Sequence, residues 1–349
     1  MKAAVFESFR TPIQVQQVPD PQPRPDSAII AVKACGLCRS DWHGWMGHDS
    51  DVHLPHVPGH ELAGVIEATG RDVRRFQVGQ RVTVPFCCGC GRCAQCESGN
   101  QQICDQYTQP GFTQWGAFAE RVEIRYADVN LVPLPDAIDF VTAASLGCRF
   151  ATSFRGIVAQ GRTQAGDWVA VHGCGGVGLS AVMIASAVGA RVIAVDVRSE
   201  RLELAQSCGA SLCLNAHDFA DDASLVSAIR EFSGSGVHVS MDALGSRATC
   251  WNSVRSLRKR GRHIQVGLML GAEADPPVPM GSVIGQELEL IGSHGMQAFE
   301  YGRMLNMIES GQLKPGMLIS DRVSLETAAR MLPRMSEYPG SGVTVIDRF

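Results

Sequence analysis

The sequence predicts an α/β protein, with a doubly wound parallel sheet in its second half joined to a β-rich first half. Three observations predict it. Between Trp168 and Ile291, short apolar runs alternate with helical stretches, the order a parallel sheet with crossover helices requires. A glycine turn of G-x-G-x-x-G form, Gly173-Cys174-Gly175-Gly176-Val177-Gly178, follows the first of those runs. Upstream, the apolar runs are short, bounded by Gly and Pro, and sustain no helical period. At 349 residues the chain is long enough for two domains, because single cores stop growing near ~250–300 residues.

Taken in order, residues 1–30 alternate and are interrupted by Pro12, Pro19, Pro21, Pro23 and Pro25, which reads as edge strand and extended loop. Strands are expected at Ala28–Ala34, Leu62–Thr69 and Arg81–Val84, forming a compact antiparallel barrel or sandwich with long loops. The texture changes near Asp136, where Phe140–Leu146 and Phe150–Ala159 read as helices. Six strands follow: Trp168–Val171, Arg191–Val195, Ser211–Leu214, Val237–Met241, His263–Val266 and Glu289–Ile291. Between them lie helices at Val177–Val188, Arg198–Ser207, Ser224–Phe232 and Arg247–Leu257. Helices at Gln297–Ser310 and Ser324–Met335 and a strand at Val343–Ile346 complete the chain. The expected division is 1–149 with 294–349 for the β-rich domain and 150–293 for the sheet domain.

The glycine turn sits between a strand and a helix, and Asp196 ends the next strand about 20 residues on, as a dinucleotide site demands. Gly173, Gly175 and Gly178 allow the tight turn and a close approach of pyrophosphate. The helix opening at Gly176 and Val177 aims N–H groups at it. Asp196 suits a ribose 2′-hydroxyl and repels a 2′-phosphate, favouring NAD over NADP, while Arg198 close by weakens that preference.

Metal chemistry is indicated in two places. Cys38 and Pro58-Gly59-His60-Glu61 put a thiolate and an imidazole in two short turns, the ligand types of zinc, with Asp41 available to orient the His60 ring. Read singly, each is better explained as a small buried thiol or a satisfied core histidine, and it is the rest of the chain that reverses this. Six of the thirteen cysteines fall between Cys87 and Cys104. Within them Cys90, Cys93, Cys96 and Cys104 have the spacing C-x2-C-x2-C-x7-C, which suits a closed tetrahedral zinc site in a lobe at about 87–105. Four protein ligands leave no open position, so its role is structural. An iron–sulfur cluster is the alternative.

Together these pieces resemble the zinc-dependent medium-chain alcohol dehydrogenases, along essentially the whole chain. Cys38-Arg39-Ser40-Asp41, Gly59-His60-Glu61, the four-cysteine lobe, Leu146-Gly147-Cys148-Arg149-Phe150 and the glycine turn come in that family's order and spacing. The resemblance implies a Rossmann sheet plus a GroES-like catalytic domain, two zinc ions per chain, NAD, and interconversion of alcohols with aldehydes or ketones. It implies Cys38, His60 and Cys148 as catalytic zinc ligands, with Glu61 a neighbour of the metal. Cys148 speaks against the polyol dehydrogenase branch, where a carboxylate is common in that position. A proton relay from Ser40 through the cofactor ribose to His43 is implied too, with Arg39 on the pyrophosphate.

Trp45 and Phe86 match pocket-wall positions of that family. Val266 and Leu268 should lie near the nicotinamide, and Trp115 and Phe118 are weaker pocket candidates. One departure is that Gly340-Ser341-Gly342-Val343-Thr344-Val345 lacks the basic residue the family often carries there, leaving Arg39 and the helix end to hold the pyrophosphate. The alternatives are a specialised oxidoreductase of the same fold and, in another class, a non-enzymatic NAD or zinc sensor. The former acts on aromatic, allylic or acyl-thioester alcohols, or is an aldehyde dismutase with tightly held NAD. The sensor predicts a broken ligand set, whereas the set is intact.

With a net charge of −4 there is no basic excess to suggest nucleic acid, and no apolar run reaches the ~18 residues of a membrane span. The first residues lack a signal-peptide apolar core, so a cytoplasmic protein is expected. A homo-oligomer, tetramer over dimer, is expected to join through the edge strand Glu289–Ile291.

Overall fold

The computed structural model describes residues 1–337 and 342–349. The strands are β1 (Lys2–Val5), β2 (Gln14–Gln17), β3 (Ala28–Leu37), β4 (Glu61–Thr69), β5 (Arg81–Thr83), β6 (Arg121–Ile124) and β7 (Val132–Pro133), then β8 (Trp168–His172), β9 (Arg191–Asp196), β10 (Leu212–Asn215), β11 (Val237–Asp242), β12 (Leu257–Gln265) and β13 (Glu289–Gly292), and lastly β14 (Ile319–Ser324) and β15 (Val343–Arg348). They belong to two compact units. The first comprises Met1–Ala151, Gly295–Gly311 and Pro315–Phe349; the second comprises Thr152–His294 with Gln312–Lys314.

In the first unit β1 and β2 pair as a small antiparallel ribbon, and a larger sheet runs β14-β15-β3-β4-β5-β7, with β6 also paired to β3. β3 is the hub. It is flanked by β15, β4 and β6, and nearly all of Ala-Ile-Ile-Ala-Val-Lys-Ala-Cys-Gly-Leu is buried, as a strand covered on both sides must be. Its core includes Phe6, Ile30, Leu62, Ile66, Phe118 and Ile124, all at most 1% exposed. One pairing departs from an all-antiparallel sheet: β14 runs parallel to β15. β14 was not foreseen because Ile319–Ser324 is a largely exposed edge strand with no apolar alternation.

The second unit is a six-stranded sheet in the order β10-β9-β8-β11-β12-β13, every pair parallel. That is the doubly wound Rossmann order, whose strand sequence reverses between β8 and β11. Residues 169–171 and 192–195 are unbroken, buried apolar runs, as strands inside a covered parallel sheet are. Asp221 and Ser246 start the helices Asp222–Phe232 and Arg247–Arg255 by accepting from the third helical N–H.

Two differences from the sequence expectation have physical causes. β12 begins at Leu257 rather than His263. Its ladder to β11 skips from Val237↔Leu257 to Val239↔Arg262, so Arg258, Lys259, Arg260 and Gly261 bulge out and their polar residues mask the strand. The two helices expected between Phe140 and Ala159 are one helical run, with a π-helical turn at Leu146–Phe150 inside it. There the backbone N–H groups of Cys148 and Arg149 donate to the Glu61 carboxylate, at 3.2 and 3.1 Å, and the helix widens to let them.

Candidate functional site

Cys38, His60 and Cys148 come from the end of β3, the residue preceding β4 and the π-turn, and their ligand atoms all lie within 4.8 Å of one another. Cys38 is the residue that precedes the helix Arg39–Met46, so its position is set where strand gives way to helix. Asp41, three residues on, accepts from the Cys38 N–H at 2.9 Å, from the Gly59 N–H at 3.0 Å and from His60 Nδ1 at 2.8 Å. One buried carboxylate thereby fixes two ligand loops and the tautomer of the imidazole. His60 Nε2 is then left buried with no hydrogen-bond partner. An orphaned ring nitrogen beside two sulfurs is what a divalent cation site looks like when its donors are considered alone. Phe86 and Phe112 stand edge-on to the His60 ring, with centroids 6.1 and 5.4 Å away.

The electrostatics agree with that fit. A hydrogen bond from Cys148, aided by Arg149 and His60 against the effect of burial, holds the Cys38 thiol well below its ordinary value. The same bond pushes Cys148 up. A bound cation would favour the thiolate form of both. Burial works against a charged His60, but Asp41 and Cys38 outweigh it and raise its pKa.

Glu61 stands outside this trio. Its carboxylate is held by Arg149, through Nε at 3.1 Å and through Nη2, while Arg149 Nη1 donates to the Leu37 carbonyl at 3.2 Å. Burial works against the guanidinium, but Glu61 outweighs it and raises the Arg149 pKa. The pair therefore ties together all three ligand segments: Leu37 beside Cys38, Glu61 beside His60, and Arg149 beside Cys148. Arg149 was missed as a site residue because its partner lies far away in sequence.

The lobe sulfurs of Cys90, Cys93, Cys96 and Cys104 also lie within 4.8 Å of one another. The N–H groups of Cys90 and Gln106 both donate to Cys104 Sγ at 3.2 Å, and backbone donation from Cys96 pushes Cys93 down to about 6. Cys87 and Cys88 are not in the group. Asn130 anchors the lobe by a two-way exchange with the Gly89 backbone, at 2.8 and 2.9 Å.

In the second unit, Gly173 takes φ 92° and a Cβ on Gly178 would lie 1.8 Å from the Gly173 carbonyl oxygen, so neither tolerates a side chain. Gly175 faces open space, with no atom within 4 Å of where its Cβ would be, at the start of the helix Gly176–Ala187. Val177 lies in the first turn of that helix, and its carbonyl accepts from Ser153. Asp196 ends β9 with its carboxylate accepting from the N–H groups of Cys174 at 2.6 Å, Val197 at 2.8 Å and Arg198 at 3.0 Å. Arg201 stands 3.7 Å from it. The Val266 and Gly267 N–H groups donate to the Asp242 carbonyl, and Leu268 beyond them is 52% exposed.

The remaining sequence candidates are placed as follows. Arg39 lies over the Trp42 ring at 4.0 Å, and Ser40 is half-buried in the first turn of the same helix. His43, also half-buried, pairs with His48. Trp45 is committed to the core of its unit, where its indole N–H donates to the Thr11 carbonyl at 2.7 Å. Trp115 is partly exposed and donates to the Pro55 carbonyl. Phe118 is fully buried core. Of the C-terminal stretch that lacks a basic residue, 340 and 341 lie outside the described residues.

Two family models match the chain: alcohol dehydrogenase GroES-like domain over residues 24–136 and zinc-binding dehydrogenase over residues 176–310. An alcohol dehydrogenase of Geobacillus stearothermophilus is 37% identical over 296 residues, covering 84% of each chain. An NAD-dependent alcohol dehydrogenase of Sulfurisphaera tokodaii is 30% identical over 99% of each. Among solved structures, alcohol dehydrogenase TADH from Thermus sp. ATN1 matches 100% of both chains with a TM-score of 0.90 at 30% identity.

Proposed function

We propose, from the premise that this chain belongs to the zinc-type medium-chain alcohol dehydrogenase family, that it is an NAD-dependent zinc enzyme interconverting alcohols with aldehydes or ketones. The observation that carries this reading is the convergence of Cys38, His60 and Cys148 with the His60 Nε2 atom unpartnered. Three protein ligands are the number that leaves a coordination position for substrate, and two cysteines with one histidine is the set of alcohol dehydrogenases. Zinc bound there supplies a Lewis acid for the substrate oxygen, and bound NAD supplies the hydride acceptor.

The chain's own residues do the rest. Asp41 and the Glu61–Arg149 pair hold the three ligands in register. Ser40 accepts the substrate proton and His43 carries it outward. Gly173 to Gly178 and Asp196 hold the dinucleotide, the Asp196 charge selecting a free 2′-hydroxyl. Cys90, Cys93, Cys96 and Cys104 hold a second, structural zinc. Residues 1–149 with 294–349 form the catalytic domain in this reading, and 150–293 the NAD domain. Phe86, beside His60, is the supported pocket wall, and a small or flat apolar alcohol is the substrate class it suits. A homotetramer in the cytoplasm completes the proposal.

The test is a turnover screen of purified, zinc-loaded protein across primary, secondary, benzylic and polyol substrates with NAD and with NADP, alongside a zinc assay. Wild type is expected to hold two zinc ions per chain and to reduce NAD with a simple alcohol. Cys38→Ser is expected to hold one and to lose the activity. Full turnover by zinc-free Cys38→Ser would refute the reading.

A further inference from the structure

The helix that begins after Cys38 ends in a way that brings a second histidine to the first. Gly47 adopts φ 77° and its N–H donates to the Gly44 carbonyl at 3.1 Å, while the His48 N–H donates to the His43 carbonyl at 3.0 Å. This pair of bonds is a Schellman end, which places the residue after the glycine beside the one five positions earlier. Such ends usually close with an apolar contact. Here the two side chains are imidazoles, and His43 Nδ1 lies 3.0 Å from His48 Nδ1, within a single hydrogen bond. The Trp42 indole stands edge-on to both rings, with centroids 5.0 and 5.7 Å away, and the two imidazoles lie 5.3 Å apart, tilted 42° to each other. His43 is half-buried and His48 is exposed, so the contact runs from the interior to water.

From this geometry we infer that His48 is the outer member of a two-histidine proton path, receiving from His43 and releasing to solvent. The inference rests on the proposed dehydrogenase activity, which must discharge one proton for each alcohol oxidised. Two neutral imidazoles joined through their Nδ1 atoms carry one shared hydrogen, with the other hydrogen on an Nε2. A proton added at Nε2 of His43 moves the shared hydrogen across to His48. His48 then gives its Nε2 hydrogen to water. One proton enters, one leaves, no electron moves, and the hydrogen bond is left pointing the opposite way, ready for the reverse direction. Before the next outward transfer both rings must regain their starting tautomers, and proton exchange with water at each ring, His43 being half-buried and His48 exposed, does this. Burial, Arg39 and His48 itself hold the His43 pKa low against the charge of Cys38. The groups bearing on the pair are thus Arg39, Cys38 and the Trp42 edge. His48 is a positioning residue that acts through His43.

The experiment uses zinc-loaded, full-length His48→Phe, His43→Ala and the double variant, with folding checked by thermal melting and zinc content. The kcat for alcohol oxidation is followed from about pH 6 to about pH 9, with and without added imidazole. His48→Phe is expected to lower kcat about tenfold at the acid end, to approach wild type at the alkaline end where hydroxide accepts the proton, and to be restored by imidazole. In the double variant, the second substitution should add little to the loss from the first. A His48→Phe profile that overlays wild type, or a loss that imidazole does not restore, overturns the inference. If His43→Ala is impaired while His48→Phe is not, the dehydrogenase reading stands and only the outer member falls. Wild type that turns over no alcohol overturns both.

Discussion

Arg149 shows how one side chain acts on a site without touching it. It is about one-tenth exposed, its partner Glu61 is fully buried, and together they join the segments that carry Cys38, His60 and Cys148. Removing one member of such a pair leaves an uncompensated buried charge, which costs about 3–5 kcal/mol. Arg149→Met is therefore expected to lose stability of that order in urea unfolding, and to bind zinc more weakly. Adding Glu61→Gln should recover part of the stability, because the stranded charge is gone. Gly36 belongs to the same arrangement, since a Cβ there would lie 2.5 Å from Glu61 Oε2. At this scale Cys38 and His60 were candidates from their chemistry, whereas Cys148, one of thirteen cysteines, was singled out only by the family resemblance. The supports of those ligands were legible only in part. Asp41 was anticipated as the partner of the His60 ring; Arg149 and Phe112 were not, because their partners are brought to them by the sheet.

Among the elements, the cysteine lobe carries the least regular structure: a four-residue helix at Ala94–Glu97 and a short 3₁₀ turn at Gln101–Ile103. Its residues have little apolar surface to bury, and Arg92 and Glu97 are exposed. Metal binding would supply the folding energy that the lobe's own core lacks. Cys104→Ser is expected to lower the zinc content by one ion per chain. It should also open new cleavage within 87–105 under limited proteolysis; a lobe that stays resistant would mean the chain holds it without metal. Periodicity located the strands of the second unit and four of its helices because βα repeats have long, unmixed apolar runs, and did not foresee the helix Met280–Gln286. It failed at β12, where a bulge of Arg258, Lys259, Arg260 and Gly261 interrupts the run, and at the π-turn, whose extra width is dictated by Glu61.

For the whole molecule, the second unit ends its sheet at β13, which has no pairing partner on its outer side among the described residues. Leu290 on that strand is 39% exposed, and Ile284 on the preceding helix Met280–Gln286 is 76% exposed. An unprotected edge with apolar side chains invites pairing with a second copy. Light scattering on wild type is expected to report an oligomer, and Leu290→Lys to shift the mass toward smaller species. A monodisperse wild-type monomer would remove this reading. The first unit makes a different point about the whole chain. Its C-terminal strand β15 pairs with Cys35, Gly36 and Leu37 of β3, immediately before Cys38. Residues distant in sequence thus brace the strand that delivers the first ligand.

The sequence alone determined the parallel sheet, the glycine turn with Asp196 after it, the four-cysteine spacing, and Cys38 and His60 as candidate ligands, while Cys148 entered only through the family resemblance. Each is written in short-range pattern: apolar period, glycine spacing, or the identity of a soft ligand. Tertiary structure decided what that pattern leaves open. It committed Trp45 to the core, set Glu61 against Arg149 outside the ligand trio, and turned His48 onto His43 at the end of a helix. These outcomes depend on which segments the sheets and helix ends bring within a few ångströms, and buried charge and hydrogen-bond satisfaction then select the partners.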